Sequence, residues 1–344
     1  MAQLRFNPTT LAFATIAWLI PSANGQDQLT IGIIDFYGLR TITEPEIRAV
    51  LPFKEGDQTT RPDPNTEREI AEALGVHRVR IEGSCCPEPN VIIVYVGIEE
   101  APVPGLDYRD EPTGEAVLPA EVLETAEQID TAMMAAIRAG DSEEDWSEGH
   151  ALVRNPEIRA LQERYIVYAE QYRDRLIEVL HGSAQQRAVA ATVLGYVSDK
   201  RAIVPHLERA VLDPDANVRN NATRALTLIA MYANRRPELG IEIRSDVFVD
   251  MLASVNLDDR GKASAVLWPL TQSRDQELLQ QIRDEALLPL IEMCRWKAEG
   301  HSFMPCIILE RVVGLPEQEE LHPKETTIAM AIELLQTEGS PVSQ

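Results

Sequence analysis

Hydrophobic and polar positions follow two different periods along this chain, and the change of period divides it. Leu29–Gly38 is a run of β-branched and apolar residues closed by a glycine, which predicts a strand. Thr43-Glu44-Pro45-Glu46 then places a threonine at a cap with a glutamate three residues on, the pattern that opens a helix. Ile47, Val50 and Leu51 give that helix one apolar face. Gly56-Asp57 breaks the chain, and Glu67–Leu74 reads as a second short helix stopped by Gly75. Val76–Gly83 alternates with period two, Val79 and Ile81 on one face and Arg78, Arg80 and Glu82 on the other. After a turn at Cys85-Cys86-Pro87, Val91–Ile98 is a nearly continuous apolar strand. The expectation is an α+β domain of order β-α-α-β-β over residues 26–100. Strict alternation turns Ile34 and Phe36 toward the helices and Leu29, Ile31 and Ile33 away from them. Two helices cover one sheet face, so the other is expected to pack on another part of the chain or on a partner.

Beyond residue 100 the period changes. Pro102, Pro104 and Pro112 mark a stiff linker. Leu118–Arg138 reads as a helix, with Val122, Ile129, Met133 and Ile137 at helical spacing, and the acidic loop 141–148 follows. From about residue 170 a helical pattern repeats. Gln186–Leu194 aligns with Val218–Leu226 at an offset of 32 residues, matching Arg187 to Arg219, Ala190 to Ala222 and Leu194 to Leu226. Each segment is the second helix of a pair whose first helices are Arg173–His181 and Ile203–Val211. Asp246–Ser273 forms a third unit after an insertion near Arg235–Arg244, Leu287–Val313 a weaker fourth, and Thr326–Leu335 a closing helix. A helix pair cannot bury its apolar stripe alone, so such units stack. The expected organisation is an acidic linker with connecting helices over 101–169 and an all-α array of helical pairs over 170–344.

Two resemblances follow from these phrases. Ile34-Asp35-Phe36-Tyr37-Gly38, Gly56-Asp57, Leu74-Gly75-Val76 and Val96-Gly97-Ile98-Glu99 make residues 28–100 resemble a POTRA domain, the polypeptide-transport-associated module of outer-membrane assembly and secretion proteins. The resemblance implies a central last strand and a penultimate strand at the sheet edge, where partners or peptides can add. Val76–Gly83 is then the edge strand, and Arg78 and Arg80 either bind an added strand or blunt the edge against aggregation. No segment of the chain resembles the barrel strands that usually follow such domains. Leu194-Gly195, Asp199–Ile203 and Asp213-Pro214-Asp215 through Val218-Arg219, Ala222 and Ala225-Leu226 make residues 170–315 similar to HEAT repeats, particularly the short variety of bilin-lyase-like proteins. That likeness implies an α-solenoid with a concave binding face.

Charge and chemistry narrow the function. The 344 residues carry a formal charge of −23, which opposes nucleic-acid and anionic-lipid binding. Residues 101–170 hold 16 acidic and five basic side chains, the densest acidity in the chain. Arg5, the apolar stretch Leu11–Ile20, Pro21, and small Ala23 and Gly25 give residues 1–25 the form of a signal peptide, so an exported protein, periplasmic or secreted, is expected. Its apolar core is too short to span a bilayer, and no later segment is long and apolar enough, so no integral membrane segment is expected after signal removal. Export permits disulfides. Cys294 and Cys306, on two helices flanking a turn near Gly300, are candidates for one, and the adjacent Cys85 and Cys86 for a vicinal one.

Enzymatic motifs fail one by one. From Asp141, an EF-hand would need glycine and glutamate where Trp146 and Leu152 stand, so the loop reads as a solvated acidic turn. No histidine precedes a glutamate, and none of the six has another three or four residues away. Gly261-Lys262 is followed by Ala263 and lacks the upstream glycine of a phosphate loop. No catalytic residue, cofactor or metal site is expected. The reading is a non-catalytic adaptor of the cell envelope that binds protein partners through the HEAT-like concave face and the POTRA-like sheet edge. The alternatives are a HEAT-type enzyme or bilin-type lyase, and an accessory component of an outer-membrane or cell-division assembly.

Overall fold

The computed structural model describes residues 29–59, 65–85, 90–101, 106–318 and 321–337. The expected signal peptide and Cys86 lie outside them. The fold is a small mixed sheet near the N-terminus followed by a mostly helical remainder. In chain order the first part is β1 (Leu29–Tyr37), α1 (Glu44–Val50), β2 (Gln58–Thr59), α2 (Thr66–Leu74), β3 (Arg78–Cys85) and β4 (Val91–Glu99). The Glu46 carboxylate accepts from the Thr43 N–H at 2.8 Å and hydroxyl at 2.6 Å, closing the predicted box at the start of α1. Gly75 ends α2 at φ 69°, a left-handed conformation that glycine adopts without steric cost.

The sheet order is β2-β1-β4-β3. β4 is central, parallel to β1 and antiparallel to β3, and β3 lies at one edge. The two-residue β2, pairing with β1 at Leu29 and Thr30, is an addition to the predicted order. Ile47 of α1 and Ile70 of α2 close over Ile34, Val79, Ile81 and Val94 as one core. Leu29 and Ile31 belong to that same core, which corrects the expected alternation. The register of β1 on β4 shifts between Ile31 and Ile33, around Gly32, and a bulge of one residue reverses the phase of the strand. Both ends of β1 therefore face the helices.

The next helices are α3 (Ala120–Ala139), α4 (Pro156–Gln171), α5 (Arg173–Val179), α6 (Ala184–Leu194), α7 (Lys200–Ala210) and α8 (Ala216–Arg235). β5 (Glu144–Asp145) and β6 (Leu152–Val153) form a short hairpin between α3 and α4. α5 packs on α6, α7 on α8, and α6 on α8, so the second helices of the two best-matched pairs lie side by side. Ala190 and Ala222 are fully buried there, small enough to let the helices approach closely. The chain then continues through α9 (Asp246–Met251), α10 (Leu257–Leu270), α11 (Gln276–Arg295), α12 (Glu299–Val312) and α13 (Lys324–Thr337).

Of the described residues, 107–246 make one compact unit, and 29–106 with 247–337 make another. Sequence composition had suggested other divisions, at residues 100 and 170. The stretch 170–344 is instead shared between the units, and the small sheet belongs with the last helices. The reason is its second face. Asp35 accepts from the Lys297 N–H at 2.9 Å, and the Lys297 ammonium donates to the Ile34 carbonyl at 3.1 Å. Trp296 sits with its ring centroid 5.8 Å from that of Tyr37 and 5.0 Å from that of Tyr95. Aromatic pairs of this kind contribute about 1 kcal/mol each beyond the area they bury. Tyr37 donates to the Val255 carbonyl at 2.9 Å, and Gly97 leaves room for the Tyr37 ring, which a Cβ would meet at 2.6 Å. The face left open by α1 and α2 is thus covered by the α11–α12 turn of the same chain.

The helical pairs share a device. Arg187, Arg219 and Arg260 are the fourth residues of α6, α8 and α10, and all three are buried. Each folds back onto the turn before its helix: Arg187 onto the Gly182 carbonyl at 2.7 Å, Arg219 onto Asp213 and Pro214 at 3.0 Å, Arg260 onto Ser254 at 2.6 Å. A buried carbonyl without a donor is costly, and a guanidinium carries enough N–H groups to satisfy several at once. α12 has Ser302 at this position. There Lys324 of α13 serves instead, donating to the Trp296 carbonyl at 3.2 Å and to the Ser302 hydroxyl at 2.5 Å.

Candidate functional site

The sequence singled out the β3 edge first. Arg78 pairs with Glu99 at 2.7 Å, and Arg80 with Glu67 of α2 at 3.1 Å. The other Glu67 oxygen accepts the Ile81 N–H at 2.8 Å. An incoming strand needs the outward-facing N–H groups of its template, so Glu67 occupies a position that strand addition requires. Both arginines are engaged within the domain, and the geometry blunts the edge.

Cys294 of α11 and Cys306 of α12 are joined in a disulfide, both buried. The turn it spans is Trp296–Ala298, because Gly300 already lies in the first turn of α12. The bond staples the segment that docks on the sheet. Beside it, His301 lies with Nδ1 2.5 Å from the Tyr95 hydroxyl and Nε2 3.3 Å from that of Ser84. Burial, with the charge of Lys262 adding, pushes the His301 imidazole down to about 4, so it is neutral at ordinary pH. Tyr95 and Ser84 are buried, which makes this a docking contact rather than an open reactive centre. Cys85 and Cys86 cannot be paired or separated on this basis, since their side chains fall outside the described residues.

The acidic loop departs from the solvated turn that its composition suggested. Glu144 of β5 holds both carboxylate oxygens on the Arg224 guanidinium of α8, at 2.5 and 2.7 Å. Its side chain is only 12% exposed, because the β5–β6 hairpin folds over the helices. The Glu144 charge, against a smaller opposing effect of burial, holds Arg224 above the usual guanidinium range.

That ion pair closes one end of a cleft of about 630 Å³ within the unit 107–246. Its walls are α3 (Leu123, Ile129, Met133) and the adjacent faces of α6 and α8 (Ala188, Val189, Asn221). Tyr165 and Tyr196 line its depth, ring centroids 5.4 Å apart and edge to face, with the Tyr196 hydroxyl spent on the Ala151 carbonyl at 2.8 Å. Apolar walls meet an amide-bearing side at Gln185, Asn217 and Asn221. Glu127 and Asp130 complete the α3 wall. Partial desolvation by the cleft walls, then the neighbouring Glu127, raises the carboxyl of the exposed Asp130 above its ordinary value. Asp215, also lining the cleft, caps α8 through the Asn217 and Val218 N–H groups at 2.9 and 3.1 Å.

A second, more open groove of about 1110 Å³ lies between α3 and α4, floored by Ala132, Ala135 and Leu161. A third, of about 680 Å³, lies in the other unit, where Arg40, Arg260 and Arg283 face Glu99, Glu100 and Asp284. The 630 Å³ cleft differs from both in its aromatic depth, Tyr165 and Tyr196, and in the Glu144–Arg224 pair among its lining residues. Among the described residues no group of three or more His, Cys, Asp or Glu is arranged to hold a metal ion, and no helix is long and apolar enough to cross a membrane. Sequence reasoning missed the cleft because α3, the hairpin and α8 meet across long separations. The one signal within reach was the second-helix alignment, which put Ala188–Val189 and Asn220–Asn221 on equivalent surfaces.

No protein family, characterised protein or solved structure was found to match the chain.

Proposed function

We propose that this protein is an exported, non-catalytic adaptor that binds a segment of a protein partner in the cleft between α3 and the second-helix faces of α6 and α8. The observation that carries the reading is the cleft itself: about 630 Å³, apolar on one side and amide-bearing on the other. Such a lining suits a peptide, whose backbone needs amide partners while its side chains need apolar contact. In this reading the helical pairs form a HEAT-like solenoid and the first domain is POTRA-like. The side-by-side packing of α6 and α8 and the β2-β1-β4-β3 sheet with β3 at its edge support it. The blunted β3 edge favours the cleft over the sheet as the place of binding.

Affinity capture from the envelope fraction tests this when the native chain is compared with Gln185→Trp, which places a large ring on an exposed lining residue. A protein retained by the native chain and lost by the variant is expected. An identical set retained by both opposes the cleft reading.

A further inference from the structure

The charges around the cleft do not balance, and the imbalance specifies a ligand. Arg224 is consumed by Glu144, and one oxygen of the Asp215 carboxylate is engaged by the start of α8. That leaves Glu127 and Asp130 of α3, both lining the cleft and neither with a hydrogen-bond or ion-pair partner among the described residues. Three residues apart on one helix, they project from neighbouring positions of the same face. Beside them on α3, Ile129 and Met133 line the apolar wall, with Val189 of α6 also lining the cleft. The pairing of an apolar wall with two uncompensated carboxylates at its rim fits a long side chain with an aliphatic stem and a cationic end.

We propose that the cleft selects its partner segment by a lysine or arginine side chain, the stem lying along the α3 wall and the cation between Glu127 and Asp130. This deepens the cleft reading and rests on it. An acidic segment would meet two like charges, and Arg224, the cation among the lining residues, is already held by Glu144, so the same carboxylates also reject wrong partners. The pressure of Glu127 on Asp130 is relieved when a cation binds, so binding and the ionisation of Asp130 favour each other.

The test is selection of a phage-displayed library of random 12-residue peptides on the full chain, with each enriched peptide measured against three proteins: native, Gln185→Trp, and the double variant Glu127→Gln/Asp130→Asn. Both carboxylates are exposed, so the double variant is expected to keep the native fold. The expected result is a consensus containing lysine or arginine, binding abolished by Gln185→Trp and weakened about tenfold by the double variant. Peptides blocked by Gln185→Trp but without a basic residue, or indifferent to the double variant, would overturn the cation and leave the cleft standing. Enrichment of nothing that Gln185→Trp blocks would overturn both.

Discussion

Arg187 and Asp213 face each other as a buried fork, Nη2 to Oδ1 at 2.8 Å and Nε to Oδ2 at 3.0 Å, with no exposed surface on either side chain. The pair joins the second helix of one helical pair to the turn of the next. Arg109 donates to the same carboxylate, and the Asp215 N–H adds a further bond at 3.0 Å. Burial alone would raise the Asp213 carboxyl, but Arg187, Arg109 and the Asp215 N–H outweigh it and hold it below the ordinary range. Replacing Arg187 by Met leaves that carboxylate without its fork, and a loss of about 3–5 kcal/mol is expected. Urea denaturation at neutral pH measures it; a loss under about 1 kcal/mol would mean the fork is not needed. The folded carboxyl titrates below the unfolded one, so its contribution is full above the unfolded value and lost as pH falls through the folded value.

Glu82 has the opposite sign. It accepts the Leu257 N–H at 2.6 Å from a half-buried position. Burial pushes its carboxyl up to about 7 from 4.5, the Leu257 bond opposing and Asp258 adding to the rise. Between those values the folded chain holds a proton that the unfolded chain has released, so stability falls as pH rises from about 4.5 to 7. At about 1.4 kcal/mol per unit the full effect is at most roughly 3 kcal/mol. Glu82→Gln cannot ionise, and its advantage over the native chain is expected to grow from pH 5 to pH 8. Urea midpoints at both values check this; a constant difference would remove Glu82 from the account.

The Cys294–Cys306 staple closes a short loop whose turn carries Trp296 and Lys297 onto the sheet. Cys294→Ser/Cys306→Ser is expected to lose about 3 kcal/mol in denaturant. Hydrogen exchange is expected to show faster opening at β1 and β4 as well as at α11 and α12. Faster exchange confined to the two helices would separate the staple from the sheet.

Glu67→Ala would free the Ile81 N–H and the Arg80 guanidinium together. Concentration-dependent association through β3 is expected, visible by sedimentation and absent from the native chain. A variant that stays as dispersed as the native chain would show that something other than Glu67 guards the edge.

Local chemistry made much of the fold legible. The Thr43–Glu46 box, the Gly75 stop and the helix pairs around Asp213 rest on residues a few positions apart, where propensity and spacing suffice. The bulge at Gly32 did not show, because alternation presumes an uninterrupted strand. Lys297 on Asp35 and Arg224 on Glu144 did not show either, since each joins residues far apart that no local pattern links. The cleft shares that cause. Its α3 wall read as an amphipathic helix, and its α6 and α8 walls as a repeat, but only folding brings them face to face.

The claim that the protein works by holding a partner segment in this cleft is tested most directly by site-specific photo-crosslinking in the producing cells. A small aliphatic diazirine residue, close to glutamine in size and without the ring that blocks the cleft, replaces Gln185 in one strain and Val167, 59% exposed on α4, in another. The account predicts a discrete protein adduct from position 185, absent from position 167 and diminished when Glu127→Gln/Asp130→Asn is added. No adduct from position 185, or the same adduct from both positions, would contradict it.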